Sequence, residues 1–351
     1  MKIYFAAAAL ILIIILYTAS GGNGGYRRFQ TQMAGYFDSF IIFAGYAESE
    51  EEFERYAAVL FDKLGELHRL YDIFNPYEGV NNLYTVNAHA GIGPVEVEQP
   101  VIGLLTAAKE AYIITEGMTT VAMGPVLRIW HEYRRLAAAN PGYAALPSMD
   151  KLAAANKLTN IDDILIDKEN GTVFLRLEGM SLDVGAIAKG YAAGLAMQEV
   201  IAAGMPAALL SAGGHVVAHG HPPGRSAWNV GIQNPDTAPG APQTVDTVVL
   251  AGGTLSVSGD YERFFGVGDR RFGHIIDPAT LMPPYRFRQV AVWHENSWMA
   301  DVISTALFIL TPEEGMRMAE KHGAEALWID AGGEWLATSG YKNMSSVFGG
   351  K

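Results

Sequence analysis

The first apolar segment of the chain differs in kind from everything after it. Lys2 precedes an unbroken apolar run from Ile3 to Tyr17, followed by Thr18-Ala19-Ser20 and the glycine-rich Gly21-Gly22-Asn23-Gly24-Gly25. One basic residue, a run of about 15 apolar positions and small residues behind it have the layout of a secretory signal. A bilayer-spanning helix needs roughly 17–25 residues, so the run makes a short anchor if it is retained. Residues 1–25 are expected to direct export, either cleaved or kept as a membrane anchor, and residues 26–351 to form the exported body.

Within that body the apolar spacing alternates between helical and strand periods. A short strand-like stretch, Phe40 to Phe43, precedes Ser49 and Glu52, which have capping-box spacing. Phe53, Tyr56, Ala57, Leu60, Phe61, Leu64 and Leu67 then recur at helical intervals. A second apolar helix is predicted from about Val101 to Glu116, stopping at Gly117, and a third from Ala186 to Val200. Asn170-Gly171 between Ile164-Leu165-Ile166 and Val173-Phe174-Leu175 predicts a hairpin. Ala207–Leu210 predicts a buried strand, with further strands at Trp228–Ile232, Val245–Leu250, Gln289–Trp293 and Ala326–Ile329. Helices are expected at Met299–Leu310 and Pro312–His322, and loops around one strand between His221 and Pro242. Helices and hairpins come in blocks, which favours an α+β fold over a doubly wound sheet. No internal boundary stands out after residue 30, although 351 residues allow one large or two modest domains at ~100–200 residues each.

Composition narrows the chemistry. Hydrophobic residues make up 50% and charged residues 18%, so the chain buries a core rather than remaining disordered. A formal net charge of −12 repels phosphate backbones and argues against a nucleic acid partner. The absence of cysteine removes thiol nucleophiles, disulfides, thiolate-held metals and lipid attachment at a cysteine. Any metal is then held by oxygen or nitrogen.

Four clusters carry candidate chemistry. In Ser181-Leu182-Asp183-Val184-Gly185-Ala186-Ile187-Ala188-Lys189-Gly190-Tyr191, Asp183 either caps the following helix or, with the helix start and Lys189, holds a polar or anionic ligand. Ser211-Ala212-Gly213-Gly214-His215, behind a buried strand, either lets a ligand or another backbone pass closely or is an ordinary loop; it is neither a dinucleotide fingerprint nor a P-loop. His274, beside the apolar Ile275-Ile276 and near Asp277, suits either a structural histidine or, at the edge of an apolar strand and close to a carboxylate, a general base. Asp301 and Thr305 share a helix face with Ser304 close by; Asp301 either complements the helix dipole or joins these oxygens in holding a hard cation such as Mg2+.

Taken in order, SLDVGAIAKGYA, SAGGH, SVSGDYERFF, HIIDPAT and ADVISTAL resemble the ApbE flavin transferases, the FAD:protein FMN transferases. YDIFNPYEGVNNLYTVN (71–87) and GMTTVAMGPVLRIW (117–130) extend the resemblance over roughly residues 30–340. It implies T-fold-like lobes in one α+β body, a Mg2+ cofactor, FAD as substrate, and a partner flavoprotein whose Thr or Ser accepts FMN as AMP leaves. Residue by residue, it implies FAD contacts at Asp183, Lys189 and Ile276, and a flavin-stacking aromatic at Phe74. Met118, Thr119 and Thr120 fall at the family's Ala-Phe-Asp flavin-binding positions. The implied metal ligands are Asp301, Ser304, Thr305 and the backbone carbonyl of Ala186, and the implied base is His274.

Three positions depart from the family pattern. Thr120 replaces an Asp, Leu281 a frequent Gly, and His215 an Asp or Asn. Two rival activities remain open to the sequence: a flavin-binding protein without turnover, and an FAD pyrophosphatase in which water replaces the acceptor hydroxyl.

Overall fold

A computed structural model describes residues 25–236, 241–261 and 263–349. The expected export segment, Gly25 apart, lies outside these described residues. In chain order the elements are β1 (Arg27–Ala34), β2 (Phe40–Ala47), α1 (Glu50–Tyr71), α2 (Leu83–Ala88), β3 (Val95–Glu96) and α3 (Gln99–Ile114). Next come α4 (Gly124–Ala139), α5 (Met149–Asn156), β4 (Ile164–Asp167), β5 (Thr172–Leu175), α6 (Ala188–Ala202), β6 (Ala207–Ala212) and β7 (His215–His219). The remainder is β8 (Trp228–Gln233), β9 (Thr244–Leu250), β10 (Gly253–Gly259), β11 (Phe265–Val267), β12 (Arg270–Phe272), β13 (Phe287–His294), α7 (Ser297–Ile309), α8 (Pro312–Lys321), β14 (Glu325–Asp330), β15 (Trp335–Ala337) and α9 (Ser339–Met344). Among the described residues no helix is long and apolar enough to cross a membrane.

An eight-stranded sheet, ordered β1-β2-β6-β7-β10-β13-β14-β15, organises this α+β body, and every neighbouring pair in it is antiparallel. Both of its faces are covered. In β6, Ala208 and Leu210 face the helices α1, α3, α6 and α7, while Ala207 and Leu209 pack toward β8, β9 and Tyr341. In β14, Ala326 and Trp328 take the helical side, and Leu327 and Ile329 the other. Double burial explains why these strands are continuous apolar runs rather than alternating ones.

The expected helices, hairpin and buried strand form, with shifted ends. Ser49 caps α1 by accepting from the Glu52 backbone N–H at 3.1 Å. The reciprocal half of the box is displaced: the Glu52 carboxylate takes the N–H of Glu48 at 2.8 Å and the hydroxyl of Tyr56 at 3.1 Å. Asn170-Gly171 turns β4 into β5, with Gly171 at φ 64°. The third helix starts at Ala188, not Ala186, with Ile187 as its N-cap. The spacing read above does not predict β1, β7, β10, α4 or α5, nor the shorter α2, β3, β11, β12, β15 and α9. In β1 the signal was present, because Phe29, Thr31 and Met33 alternate inward.

A satellite core joins α4 and α5 to the β11–β12 hairpin through Trp130, Leu152, Phe265, Phe272, Ile276 and Leu281. The Trp130 indole N–H donates to the Leu281 carbonyl at 3.0 Å. Leu281, one of the departures from the family pattern, holds φ 60°, a left-handed conformation that glycine adopts freely. Its buried side chain packs in this satellite core, which offsets a strain of about 1–2 kcal/mol.

Helices α6 and α7 approach closely at two glycines. A Cβ on Gly190 would lie 2.7 Å from the Asp301 Cβ and 3.0 Å from the Ser297 carbonyl oxygen, and one on Gly194 3.0 Å from the Ser297 Cβ. Alanine gains about 1 kcal/mol over glycine in helix propensity, but overpacking typically costs ~1–3 kcal/mol. Gly190→Ala should therefore lower the urea midpoint, and an unchanged or raised midpoint would show that the helices separate at no cost.

Candidate functional site

Three local devices aim the site residues. Asp72, at the end of α1, accepts from the backbone N–H of Phe74 at 2.7 Å and of Asn75 at 3.0 Å, and from the Tyr77 hydroxyl at 3.1 Å. This turn leaves Phe74 63% exposed at the mouth of a cleft of about 750 Å3. The Asn87 side chain then grips the backbone of Leu182, accepting from its N–H at 2.6 Å and donating to its carbonyl at 3.1 Å. Asp183 follows on the cleft wall, where its Oδ1 accepts from the Gly185 N–H at 3.0 Å. Asp183 is thus the head of a short turn and not the helix cap, which lies four residues later.

Tyr84, Arg128 and His131 line the same cleft. His131 Nε2 stands 3.9 Å from Asp183 Oδ2, and its ring lies 6.3 Å from that of Phe74 at 43°. Burial pulls the His131 pKa down, against the pull of Asp183. None of Tyr84, Arg128 and His131 was singled out in the sequence. α4 brings Arg128 and His131 across to a turn more than fifty residues away, and no local spacing encodes that pairing.

The second part of the site surrounds Asp301, in the second turn of α7. Asn296 caps this helix, so Asp301 is not its dipole partner. The carboxylate is only 6% exposed. Its Oδ2 accepts from the Gly190 N–H at 2.8 Å, and its Oδ1 from the Ser256 hydroxyl at 3.1 Å and from Lys189 Nζ at 3.4 Å. Burial alone would raise the Asp301 pKa; Lys189 and these hydrogen bonds outweigh it and hold the carboxyl below the ordinary range. Ser304 and Thr305 donate to the Asp301 carbonyl at 2.9 Å and 3.3 Å. The Ser304 hydroxyl also lies 2.9 Å from that of Ser258 on β10. Ala186 sits in the turn leading into α6. Among the described residues no three His, Asp or Glu side chains gather as a metal cluster; the group here is one carboxylate ringed by hydroxyls. An all-oxygen set with a single carboxylate fits Mg2+, which takes one or two carboxylates and completes its shell with water and substrate phosphates.

The other expected contacts are placed differently. Thr119 is buried, and its hydroxyl donates to the Val302 carbonyl at 3.0 Å, bracing α7. Thr120 caps a short 3-10 turn by accepting from the Ala122 N–H at 3.3 Å. Met118 packs against the main core, and the Ile276 side chain is buried beside Trp130 in the satellite core. His274 lies past the end of β12 in irregular backbone, not at the edge of an apolar strand. Nor does its ring keep an ordinary titration range near a carboxylate: burial, with Arg263 and Arg134 nearby, pulls it down to about 4. Asp277 is turned to its own loop, accepting from the Ala279 N–H at 2.8 Å and the Thr280 hydroxyl at 2.9 Å.

The comparisons with known proteins bear on this arrangement. The chain matches the ApbE family over residues 44–328. It belongs to that family. A Treponema pallidum relative named FAD:protein FMN transferase is 34% identical over 266 residues, covering 70% of this chain and 70% of that protein. A Klebsiella pneumoniae relative of the same name is 28% identical over 265 residues, covering 75% of this chain and 79% of the relative. The ApbE protein of Thermotoga maritima superposes with a TM-score of 0.79 at 24% identity, covering 91% of this chain and 99% of that one. The apo flavinyl transferase ApbE of Pseudomonas stutzeri gives 0.73 at 24% identity, covering 91% and 96%. These two likenesses show that this ApbE-family chain shares their fold.

Six histidines of this ApbE-family chain (68, 131, 215, 219, 274 and 322) are pulled down, in each case chiefly by burial. An unfolded histidine titrates near about 6.5, so below that value the unfolded chain binds more protons than the folded one. Stability should hold above about pH 6.5 and fall progressively as the pH drops toward 4. Urea midpoints across that range should show the slope, and His274→Asn should make it shallower. The same slope in the variant would mean that the folded His274 titrates like an exposed one.

Proposed function

We propose that this chain is a Mg2+-dependent FAD:protein FMN transferase that moves FMN from FAD to a Thr or Ser hydroxyl of a partner flavoprotein, releasing AMP. The observation that carries the reading is the course of residues 181–190. Ser181 to Asp183 wall the aromatic cleft, and Lys189 and Gly190 reach the Asp301 carboxylate. One stretch of backbone joins a cleft suited to a planar ring system to a corner suited to a pyrophosphate. The curated relatives that carry the name FAD:protein FMN transferase support it.

In this reading Phe74 and Asp183 hold the flavin end of FAD, while Met118, Thr119, Thr120 and Ile276 stand outside the lining of that cleft and brace the body around it. Lys189 meets the phosphates. Asp301, Ser304, Thr305 and the Ala186 carbonyl hold Mg2+, which when bound neutralises charge on the phosphoryl group being transferred. His274 takes the proton of the acceptor hydroxyl as its oxygen bonds to the FMN phosphorus and the bond to the AMP oxygen breaks. The neutral state of a buried imidazole at pH 7 suits that task. Its weak basicity is offset when a polyanionic substrate balances Arg263 and Arg134. The Lys2 and Ile3–Tyr17 pattern supports an exported enzyme, anchored or released by cleavage, acting at the outer face of the cytoplasmic membrane. The acceptor is a separate protein with a Thr/Ser attachment motif, since this chain carries no Ser/Thr-Gly-Ala-Thr of its own.

Incubation with FAD, Mg2+ and an acceptor domain, followed by mass measurement of the acceptor, tests the reading. A gain of one FMN supports it; FMN and AMP both free in solution would make the protein a pyrophosphatase. Asp301→Ala should abolish transfer, whereas full activity in that variant or in EDTA would remove the metal from the scheme. The acid limb of kcat/KM, which reports the free enzyme, should lie well below 6.5, near 4, with the limb of kcat higher. His274→Asn should slow transfer by ~10²–10⁴ and still bind FAD, and an unaltered rate and pH profile would exclude His274 as the base.

A further inference from the structure

We propose that His215 is a positioning residue that fixes the direction of Asp301 through Ser297 and Gly190. The proposal rests on reading Asp301 as the carboxylate that holds the divalent ion. His215 opens β7 and is fully buried beneath the contact of α6 with α7. The Ser297 hydroxyl lies 2.7 Å from the Gly190 carbonyl, which can only accept, so the hydroxyl hydrogen is engaged there. At 2.9 Å from His215 Nε2, the same oxygen must then accept, and Nε2 must carry the proton. Histidine, serine and glycine carbonyl form one directed chain.

Gly190 is held on its other side as well. Its N–H donates to Asp301 Oδ2 at 2.8 Å, so the two peptide groups flanking this glycine are tied, one to Asp301 and one to Ser297. With no Cβ between them, the helix backbone rests directly on the carboxylate. His215 Nδ1, left with a lone pair and no hydrogen-bond partner, stands 3.8 Å from Asp301 Oδ1. That is beyond hydrogen-bond reach, and a lone pair facing an anion does not draw it closer. The ring therefore acts as a wall behind the carboxylate, while Ser256 and Lys189 take Oδ1 from other sides. Lys189 adjoins Gly190 in sequence, so the same tie also sets the cation meant for phosphate.

Groups behind a metal ligand typically account for ~10–100-fold in metal affinity. The test uses Mn2+ as a paramagnetic substitute for Mg2+, bound to the full chain without FAD and read by electron paramagnetic resonance. KM for Mg2+, kcat and the thermal midpoint are measured alongside. His215→Ala should weaken Mn2+ binding by ~10–100-fold and raise KM for Mg2+, with most of kcat recovered at saturating metal. His215→Asn, which keeps an N–H donor for Ser297, should restore most of the affinity. Ser297→Ala should reproduce the loss, and the double variant should be no worse than either single, because both act along one chain.

Unchanged Mn2+ affinity in His215→Ala, or additive losses in the double variant, would overturn the proposal. So would wild-type affinity in Ser297→Ala, which decides the matter even if His215→Ala fails to fold. If the wild-type chain binds no Mn2+, the reading of Asp301 as a metal ligand falls, and this proposal with it; loss of transfer with Mn2+ binding intact would count only against the proposed reaction.

Discussion

A carboxylate at 6% exposure, packed where two helices touch, constrains most of what surrounds it. Burying a lone charge costs several kcal/mol unless charge and hydrogen bonds compensate it. Asp301 receives three such partners, Lys189, the Gly190 N–H and Ser256, from two different elements. Two of them come from one turn of α6, and that turn comes close enough only because residue 190 lacks a Cβ. The packing of α6 on α7, the sheet beneath them and the charge of the site are therefore one arrangement. A change that moved the helices apart would leave an unpaired charge in the core as well as a void.

The cleft is built on a different principle. Its walls are tied by side chains that imitate backbone: Asp72 folds the turn that presents Phe74, and Asn87 pairs with Leu182 as a neighbouring strand would. Such ties fix loop positions without a continuous hydrogen-bonded ladder, so an exposed aromatic can stand at the rim of a rigid body. Function concentrates in these connections, while the sheet and helices hold them still.

His274 shows how position alters a residue whose chemistry looks plain in the sequence. Its neighbours in sequence, Ile275, Ile276 and Asp277, suggest an imidazole with a carboxylate at hand. In the folded chain Asp277 faces its own turn, and Arg263 and Arg134 supply the charge that the ring feels. Burial and like charge then act in the same direction on a group whose job would be to take up a proton. Under the proposed function, a polyanionic substrate that balanced those two arginines would tie substrate capture to the basicity of His274.

The periodic elements were legible in the sequence because their determinants are local. Ser49 capped its helix, Asn170-Gly171 turned its hairpin, and the spacing of Asp301, Ser304 and Thr305 put them within one turn of α7. The ordered motifs likewise pointed to the family before any geometry was known. Tertiary structure alone decided which groups meet: Ser256 with Asp301 from a strand 45 residues earlier, and His131 with Asp183 across the cleft. It also decided that Thr119 braces a helix and that Asp183 heads a turn instead of capping one. Helix and turn signals act over three or four residues and can be read along the chain. Burial, close approach and the sum of surrounding charge depend on elements far apart in sequence, and they exist only once the sheet has brought those elements together.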